Sequence, residues 1–331
     1  MHRPSERGGT DWFWLRHMSR FLITGGAGFI GSNLVQRLLR EGNKVRVIDN
    51  FSTGNWENMR DLYCADNALE IVIDDIRDLA AVRKAMSKID YAVHLAALSS
   101  VARSLEDPST YNSVNIDGTL NVLMACREER VKKLVYISSS AVYGDNPELP
   151  KVESMNPEPS SPYAVSKLTG EYYCKIFHSL YRLDTLILRP FNVFGPRQNP
   201  SSEYAAVIPR FVVALLKGRP LTIFGDGEQS RDFVYVENVV DAVVSACQSR
   251  KSGGEVINIA CGHRTTVNTL VRILSEFIDN HTEPIHVAAL PGDVRHSLAD
   301  ISKAKSLLGY EPKVHLREGL EKTIGWYLQK C

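Results

Sequence analysis

Short apolar segments rich in β-branched residues alternate along this chain with segments of helical composition. They occupy residues 21–23, 45–48, 69–73, 91–95, 134–137 and 185–188. Strands that are apolar along their whole length are typical of parallel sheets whose two faces are both covered by helices. Helices between successive strands supply the crossover connections that a parallel sheet needs. The sequence therefore predicts an α/β fold built on a doubly wound parallel sheet.

The character of the sequence changes after Pro190, where prolines and glycine turns separate shorter elements. This change predicts a smaller C-terminal α+β lobe beside the sheet. We expect the sheet domain to contain residues 18–189 and about 232–260, and the lobe to contain residues 190–231 and 261–331. Residues 1–17 are expected to form a disordered extension, because chain termini are seldom tied to a fold.

The charge balance argues against several classes of partner. The 331 residues include 39 basic and 38 acidic ones, a formal net charge of +1, so the overall charge does not draw the chain to nucleic acid or to an anionic membrane. No apolar run reaches the roughly 20 residues of a membrane-spanning helix. The six cysteines form no C-x-x-C pair and the nine histidines form no close cluster. We therefore expect a cytoplasmic protein with neither a metal site nor a disulfide framework.

A glycine-rich turn, Gly-Gly-Ala-Gly-Phe-Ile-Gly at 25–31, lies between the first predicted strand and the first predicted helix. Glycines there let the backbone approach a pyrophosphate that rests on the amino end of the helix. Asp49 ends the second strand about 20 residues further on, where a carboxylate can accept hydrogen bonds from the adenosine ribose. No arginine follows Asp49 directly. The pattern is typical of a Rossmann dinucleotide site and favours NAD over NADP.

A tyrosine and a lysine stand four residues apart, at Tyr163 and Lys167, so both side chains leave one face of a predicted helix. A neighbouring ammonium group favours the phenolate form of tyrosine, which would make Tyr163 a base near neutral pH. The pair alone is a weak signal. It gains weight from three serines at 138–140, which follow a predicted strand at the carboxyl edge of the sheet, where ligands bind.

Six motifs, in this order, resemble those of the extended short-chain dehydrogenase/reductase family. They are TGGAGFIGS, the HLAA at 94–97, SSSAVYG, the Tyr163-x-x-x-Lys167 pair, LRPFNVFGP and GDGEQSRDFVYV. The resemblance runs from about residue 19 to residue 310 and is strongest to the UDP-glucose and UDP-N-acetylglucosamine 4-epimerases. It implies NAD as the cofactor, a UDP-sugar as the substrate, and a homodimer joined by a four-helix interface from helices near 112–127 and 163–181.

The resemblance also implies roles for individual residues. Tyr163 is expected to be the catalytic base, assisted by Ser139, with Ser138 and Ser140 as alternatives to that serine. Lys167 is expected to bind the nicotinamide ribose and to lower the pKa of the tyrosine. The implied NAD contacts are Gly25, Gly28, Phe29, Ile30, Asp49, Asn50, Asp75, Ile76, Leu95, Ala96, Ala97, Tyr163 and Lys167; Asp74 stands as an alternative to its neighbour Asp75.

A further set of residues is implied to contact the UDP-sugar. Arg231 and Arg295 suit the diphosphate, because each guanidinium combines charge with a planar fork of donors. Residues 204–208 are expected to lie along the uridine. The complete implied substrate set is Ser100, Ser139, Ser140, Tyr163, Asn192, Tyr204, Ala206, Val207, Arg231, Arg295 and Ser297.

Two positions favour one reaction over others of this family. Family members that eliminate water or carbon dioxide carry a carboxylate three residues before the glycine of the SSSAVYG motif, where this chain has Ala141. The expected reaction is therefore 4-epimerisation through a 4-keto intermediate. Epimerases restricted to glucose and galactose have a tyrosine where this chain has Ser297. The smaller residue predicts activity on UDP-GlcNAc/UDP-GalNAc as well as on UDP-Glc/UDP-Gal.

Two alternatives stay open. A UDP-glucuronate 4-epimerase would share the fold, cofactor and base, but it would need donors for the C6 carboxylate, and the sequence does not identify them. A non-catalytic NAD-sensing regulator would share the sheet. The presence of Ser139, Tyr163 and Lys167 argues against it, because binding alone needs no base.

Overall fold

The computed structural model describes residues 18–63, 68–200, 206–250, 253–279, 283–289 and 294–330, so the predicted extension 1–17 lies outside the described residues. Its strands are β1 Arg20–Thr24, β2 Lys44–Asp49, β3 Leu69–Ile73, β4 Tyr91–His94, β5 Lys133–Ile137, β6 Thr185–Pro190, β7 Val193–Phe194, β8 Thr222–Phe224, β9 Ser230–Arg231, β10 Val234–Tyr235, β11 Glu255–Ile259, β12 Thr265–Thr266 and β13 Ile285–Val287. Its helices are α1 Phe29–Arg40, α2 Glu57–Tyr63, α3 Leu79–Met86, α4 Val101–Glu106, α5 Pro108–Asn112, α6 Gly118–Glu128, α7 Pro162–Tyr181, α8 Val207–Leu216, α9 Val236–Gln248, α10 Val267–Ile278, α11 Ser302–Leu308 and α12 Leu316–Leu328.

Seven strands form one parallel sheet in the order β11, β6, β5, β4, β1, β2, β3. The chain builds outward from β1 to β3, then returns to the other side of β1 with β4. The strand order therefore reverses between β1 and β4, and a crevice opens outside the carboxyl ends of these two strands. The predicted doubly wound parallel sheet is confirmed. All six predicted strands are present, and β11, which was not among them, forms the seventh.

Helices cover the two faces of the sheet with separate cores. Side chains of one face, such as Ile23, Val47 and Val135, belong to a core that includes residues of α1 and α9. Side chains of the other face, such as Leu22 and Ile48, belong to a core with residues of α3, α6 and α7. Each strand sends alternate residues to opposite faces, so strands that are apolar throughout are buried on both sides.

The predicted helix near 112–127 is interrupted. Residues Ser113–Asp117 form a π-helical turn between α5 and α6. Within it Asn115 is buried, and its carbonyl accepts a hydrogen bond from the Thr119 hydroxyl at 2.5 Å. Single π-turns inside helices often mark functional sites. Here the turn directs the amide of Asn115 inward, and helical periodicity in the sequence does not reveal this change.

The C-terminal part packs α8, α10 and α12 together, with β8 and β13 forming a parallel pair beside them. Apolar residues of these helices continue the core that covers one face of the large sheet. The boundaries predicted for the lobe stay a prediction. No helix in the described part of the chain is both long and apolar enough to cross a membrane.

Candidate active site

The glycine turn is packed too tightly to admit side chains at two of its positions. Gly25 has φ +71°, and a Cβ built there would lie 2.7 Å from the backbone nitrogen of Ala96. A Cβ on Gly31 would lie 2.2 Å from the Gly25 carbonyl oxygen. Gly28 is the last residue before α1, and, as a glycine, it gives the helix no side-chain cap. The first amides of α1 are therefore available to an anion, as in dinucleotide sites.

This packing predicts that Gly31→Ala loses NAD and lowers the thermal midpoint of unfolding by several degrees. The clash is between backbone and Cβ, so the turn itself must shift, at a cost of about 1–3 kcal/mol. Gly325→Ala on α12 is the matched control, because nothing lies within 4 Å of a Cβ there. Bound NAD and the thermal midpoint would be measured for both proteins. Wild-type values in Gly31→Ala would contradict the tight packing of the turn.

Asp49 lies at the carboxyl end of β2, beside the turn. Its Oδ2 accepts from the Ala27 amide at 2.9 Å and its Oδ1 from the Phe51 amide at 2.8 Å. Burial raises the pKa of this carboxyl, and the two amide hydrogen bonds oppose the rise. A carboxylate offers about four acceptor positions. The two that remain can receive ribose hydroxyls.

Asp75 and Asn50 lie together next to the ends of β3 and β2. The Asn50 amide donates to Asp75 Oδ2 at 2.8 Å, and Arg77 donates to both Asp75 oxygens at 2.9 and 2.7 Å. The hydrogen bonds from Arg77 lower the pKa of Asp75 to about 2. The Asp74 side chain instead accepts from the Asp75 amide at 2.8 Å. Of the two aspartates, Asp75 is the one linked to a second predicted NAD contact.

The end of β4 is held by a buried chain of hydrogen bonds that the sequence does not show. Thr24 Oγ1 bonds His94 Nδ1 at 2.7 Å, and His94 Nε2 bonds Thr119 Oγ1 at 2.9 Å. Burial lowers the pKa of His94 to about 3, so the ring is neutral. The Thr24 oxygen also accepts from the amides of Leu95 and Ala96, at 3.2 and 3.1 Å. Thr24 therefore positions two predicted NAD contacts.

Tyr163, Lys167 and Ser139 meet where β5 ends and α7 begins. Ser139 Oγ caps a short 3-10 turn by accepting from the Ala141 amide at 3.1 Å. Burial raises the pKa of the Tyr163 phenol, and a hydrogen bond with Ser139 opposes that rise. Burial lowers the pKa of Lys167 to about 8, so it is an ammonium at neutral pH. Ser139 and Tyr163 are thus neighbours, with Lys167 one turn along α7, and the pKa of Tyr163 is raised by burial where the sequence led us to expect that Lys167 would lower it.

Asn115 is a neighbour that the sequence analysis missed. Its amide nitrogen donates to the Leu98 carbonyl at 3.0 Å and to Ser166 Oγ at 2.9 Å, and its amide oxygen accepts from the Leu98 amide at 2.9 Å. The Ser166 hydroxyl in turn donates to the Tyr163 carbonyl at 2.7 Å. The π-helical turn thereby ties the loop after β4 to the helix of the predicted base. No local sequence pattern signals this contact.

A cleft of about 790 Å³ opens between the sheet and the C-terminal part. The predicted substrate residues that line it are Ser100, Ser140, Asn192, Ala206, Val207, Arg231 and Ser297. Ala141 also lines it, as does Ser161, which caps α7 next to Tyr163. Ser139, Tyr163 and Lys167 are not among the lining residues, but Ser140 and Ser161 bring the wall of the cleft within two residues of Ser139 and Tyr163 along the chain. Tyr204 lies outside the described residues.

Three arginines surround His296, a residue that lines the cleft. Burial, followed by the guanidinium groups of Arg264, Arg295 and Arg231, lowers the pKa of His296. Arg295 is exposed and paired with Asp226 through bonds of 2.9 and 2.7 Å. In this arrangement its side chain points to Asp226 and is not part of the cleft lining. The Arg231 guanidinium donates to the Ser230 carbonyl at 3.0 Å and lines the cleft.

Fold and site together define a dinucleotide-dependent α/β enzyme. The model of the NAD dependent epimerase/dehydratase family matches residues 21–260. This chain belongs to that family. The glycine turn, the open amides of α1 and the Asp49 carboxylate fit NAD, so the predictions of family, fold class, enzyme and NAD cofactor are confirmed.

Individual relatives are similar over almost their whole length. A UDP-glucose 4-epimerase of Mycolicibacterium smegmatis is 41% identical, over 94% of this chain and 99% of that protein. A solved UDP-N-acetylglucosamine 4-epimerase from Methanobrevibacter ruminantium, in complex with UDP-N-acetylmuramic acid, has a TM-score of 0.91 and 43% identity over 95% of this chain and 99% of that one. A solved UDP-glucuronic acid 4-epimerase from Bacillus cereus, with UDP-glucuronic acid and NAD, has a TM-score of 0.88 and 35% identity over 94% and 100%.

Proposed function

We propose that this protein is a UDP-hexose 4-epimerase that interconverts UDP-GlcNAc and UDP-GalNAc as well as UDP-Glc and UDP-Gal. The observation that carries the proposal is a cleft sized for a ligand, whose wall includes Ser140, next to Ser139, and Ser161, the N-cap of the helix that carries Tyr163 and Lys167. Ala141 lines the same cleft without a carboxylate. The site thus holds one base and no second acid at the position used for elimination.

In the proposed reaction Tyr163 accepts the proton of the C4 hydroxyl. Ser139 is proposed to hydrogen-bond the C4 oxygen of the sugar beside the Tyr163 phenol. Lys167 contributes a positive charge that favours the phenolate as the proton moves. NAD, when bound, supplies a reversible hydride acceptor for C4. After the 4-keto sugar has turned its opposite face toward the site, the hydride would return to C4 and Tyr163 would return the proton to the C4 oxygen.

The proposed NAD contacts lie along the carboxyl edge of the sheet. Gly25, Gly28, Phe29 and Ile30 form the turn and the first turn of α1, where the pyrophosphate is expected. Asp49 and Asn50 are proposed to hold the adenosine ribose, and Asp75 with Ile76 to flank the adenine. The loop at 95–97, held by Thr24, and the Tyr163 and Lys167 side chains are proposed to meet the nicotinamide end.

The UDP moiety is proposed to anchor the substrate while the sugar turns. Arg231 faces the cleft, and Arg295 is proposed to leave Asp226 for the diphosphate, because an exposed ion pair is weak and easily exchanged. Ala206 and Val207 lie at the amino end of α8 and are proposed, with Tyr204, to contact the uridine. A diphosphate fixed at this end leaves the sugar free to rotate at the other.

The substrate preference rests on Ser297. Its hydroxyl lies 3.4 Å from the Asn192 amide nitrogen, and both side chains line the cleft. A small side chain leaves room for an acetamido group at C2. The similarity to a UDP-N-acetylglucosamine 4-epimerase at 43% identity supports the same preference.

The test is to incubate the purified protein separately with UDP-GlcNAc, UDP-Glc and UDP-GlcA, without added reductant, and to resolve the products by chromatography. We expect UDP-GalNAc and UDP-Gal to form. Formation of UDP-Gal alone would refute the assignment of N-acetylated substrates. No product from any sugar, with NAD added, would refute the epimerase and favour a regulator.

A second candidate, UDP-glucuronate 4-epimerase, is favoured by one residue. Lys151 is 3% exposed and lines the cleft, and its ammonium donates to the Asn146 carbonyl. Burial lowers its pKa. A cation in the cleft wall could receive the C6 carboxylate that the sequence analysis left without a partner. Conversion of UDP-GlcA alone would select this candidate.

The proposed homodimer is supported by an apolar stripe on α7. Val165, Tyr172, Ile176 and Leu180 are 46%, 51%, 45% and 71% exposed, and their spacing of seven, four and four residues places them on one helical face. An exposed apolar face of this kind is typical of a protein contact. A second copy of the chain would cover this face with its own α7 and with the helical segment near 112–127.

We expect Leu180→Asp combined with Ile176→Asp to convert the dimer to a monomer, because each charge would be buried in the contact. Ile285→Asp is the matched control, since Ile285 is 51% exposed on β13, away from α7. Light scattering after gel filtration measures the mass of each protein. A dimeric double variant would contradict the interface.

A further inference from the structure

An ion pair is buried directly behind the candidate catalytic residues. Arg189 on β6 donates to both oxygens of Glu171 on α7, at 2.8 and 2.6 Å, and the Ser138 hydroxyl donates to Glu171 Oε1 at 2.5 Å. Glu171 is 1% exposed and Arg189 is 2% exposed. A buried ion pair gives little net stability, since desolvation offsets the attraction. The proposed reaction assigns no role to this pair.

The ion pair lies on or next to the elements that carry the proposed catalytic residues. Tyr163, Lys167 and Glu171 follow one another at intervals of four along α7, so they share one face of the helix. Ser138, which Glu171 binds, immediately precedes Ser139 at the end of β5. Glu171 therefore joins the strand that carries the serine to the helix that carries the base and the lysine.

Glu171 also differs from the other groups around Lys167. The titratable side chains around this ammonium within the described residues are His94 on β4, Tyr136 on β5, and Glu171 and Cys174 on α7, with Arg189 on β6 next to Glu171. His94 is neutral, and burial raises the pKa values of Tyr136 and Cys174. Glu171 is thus the carboxylate among these side chains around Lys167, and its negative charge favours the charged form of the lysine.

We propose that Glu171 is a positioning residue for 4-epimerisation. It holds Ser139 in position beside Tyr163 through its hydrogen bond with Ser138, the residue before Ser139. Arg189 balances the negative charge of the Glu171 carboxylate and links it to β6. Asn192 follows this strand. The inference rests on the proposed function, because it assigns Glu171 a part in that reaction.

The decisive variant is Glu171→Gln combined with Arg189→Met, which removes both charges and so avoids an isolated buried cation. We expect this protein to fold, with kcat at least about tenfold lower. KM should stay unchanged, because neither Glu171 nor Arg189 lines the cleft. Glu70→Gln combined with Arg46→Met removes an ion pair remote from the site and serves as the control.

The wild-type enzyme is assayed first, so that failure of the proposed function is recognised separately as absence of epimerisation. Wild-type kcat in the double variant, or equal changes in kcat and KM, would overturn the inference, because the pair would then be only structural. If the double variant does not fold, Ser138→Ala decides. It retains both charges, and we expect kcat to fall severalfold with KM unchanged, whereas wild-type kcat would overturn the positioning role.

Discussion

Tyr163→Phe is expected to lower kcat for 4-epimerisation of UDP-GlcNAc by about 10²–10⁴-fold, the usual contribution of a general base. The substitution removes the phenolic oxygen but keeps the ring, which is buried. Substrate affinity should change little, because the proposed UDP anchor at Arg231 is untouched. The measurement is steady-state kinetics with both N-acetylated substrates, together with the amount of NAD that stays bound.

Tyr91→Phe provides the control for this comparison. Tyr91 is the first residue of β4, so it lies at the amino ends of the strands, whereas the site lies at their carboxyl ends. Its ring stacks on that of Phe21, with the two centroids 5.2 Å apart. Loss of one hydroxyl there should leave kcat unchanged. If Tyr163→Phe retained more than a tenth of wild-type activity, another group would have to move the C4 proton.

Ser297→Tyr is expected to lower kcat/KM for UDP-GlcNAc by about 100-fold while changing that for UDP-Glc less than about threefold. The phenol ring would occupy the part of the cleft where Asn192 and Ser297 meet. Forcing an acetamido group against it costs on the order of 1–3 kcal/mol or more. Competition between the two substrates in one reaction measures the ratio directly.

Ser297→Ala is the companion variant, since it removes the hydroxyl without filling the cleft. Both substrates should then react at rates near those of the wild type. An equal loss on UDP-GlcNAc and UDP-Glc in Ser297→Tyr would mean that the tyrosine distorts the site generally. Unchanged preference would mean that Ser297 does not face C2 of the sugar.

The sequence alone determined the family, the cofactor and the sheet, because each depends on local patterns. Apolar strands alternating with helices are typical of a covered parallel sheet, and a glycine-rich turn between a strand and a helix is typical of a dinucleotide site. The pair Tyr163 and Lys167 is readable because four residues make about one helical turn. The roles implied for the other site residues came from the resemblance and stay proposals.

Only the tertiary structure decided which distant residues meet. Ser138, Glu171 and Arg189 come from β5, α7 and β6, and they form one buried cluster because those elements are neighbours in space. Asn115 reaches the site because a π-helical turn, invisible to helical periodicity, turns its amide inward. β11 became the seventh strand by pairing with β6. Contacts between residues far apart in the chain depend on how the helices and strands pack, and no local pattern of residues encodes that packing.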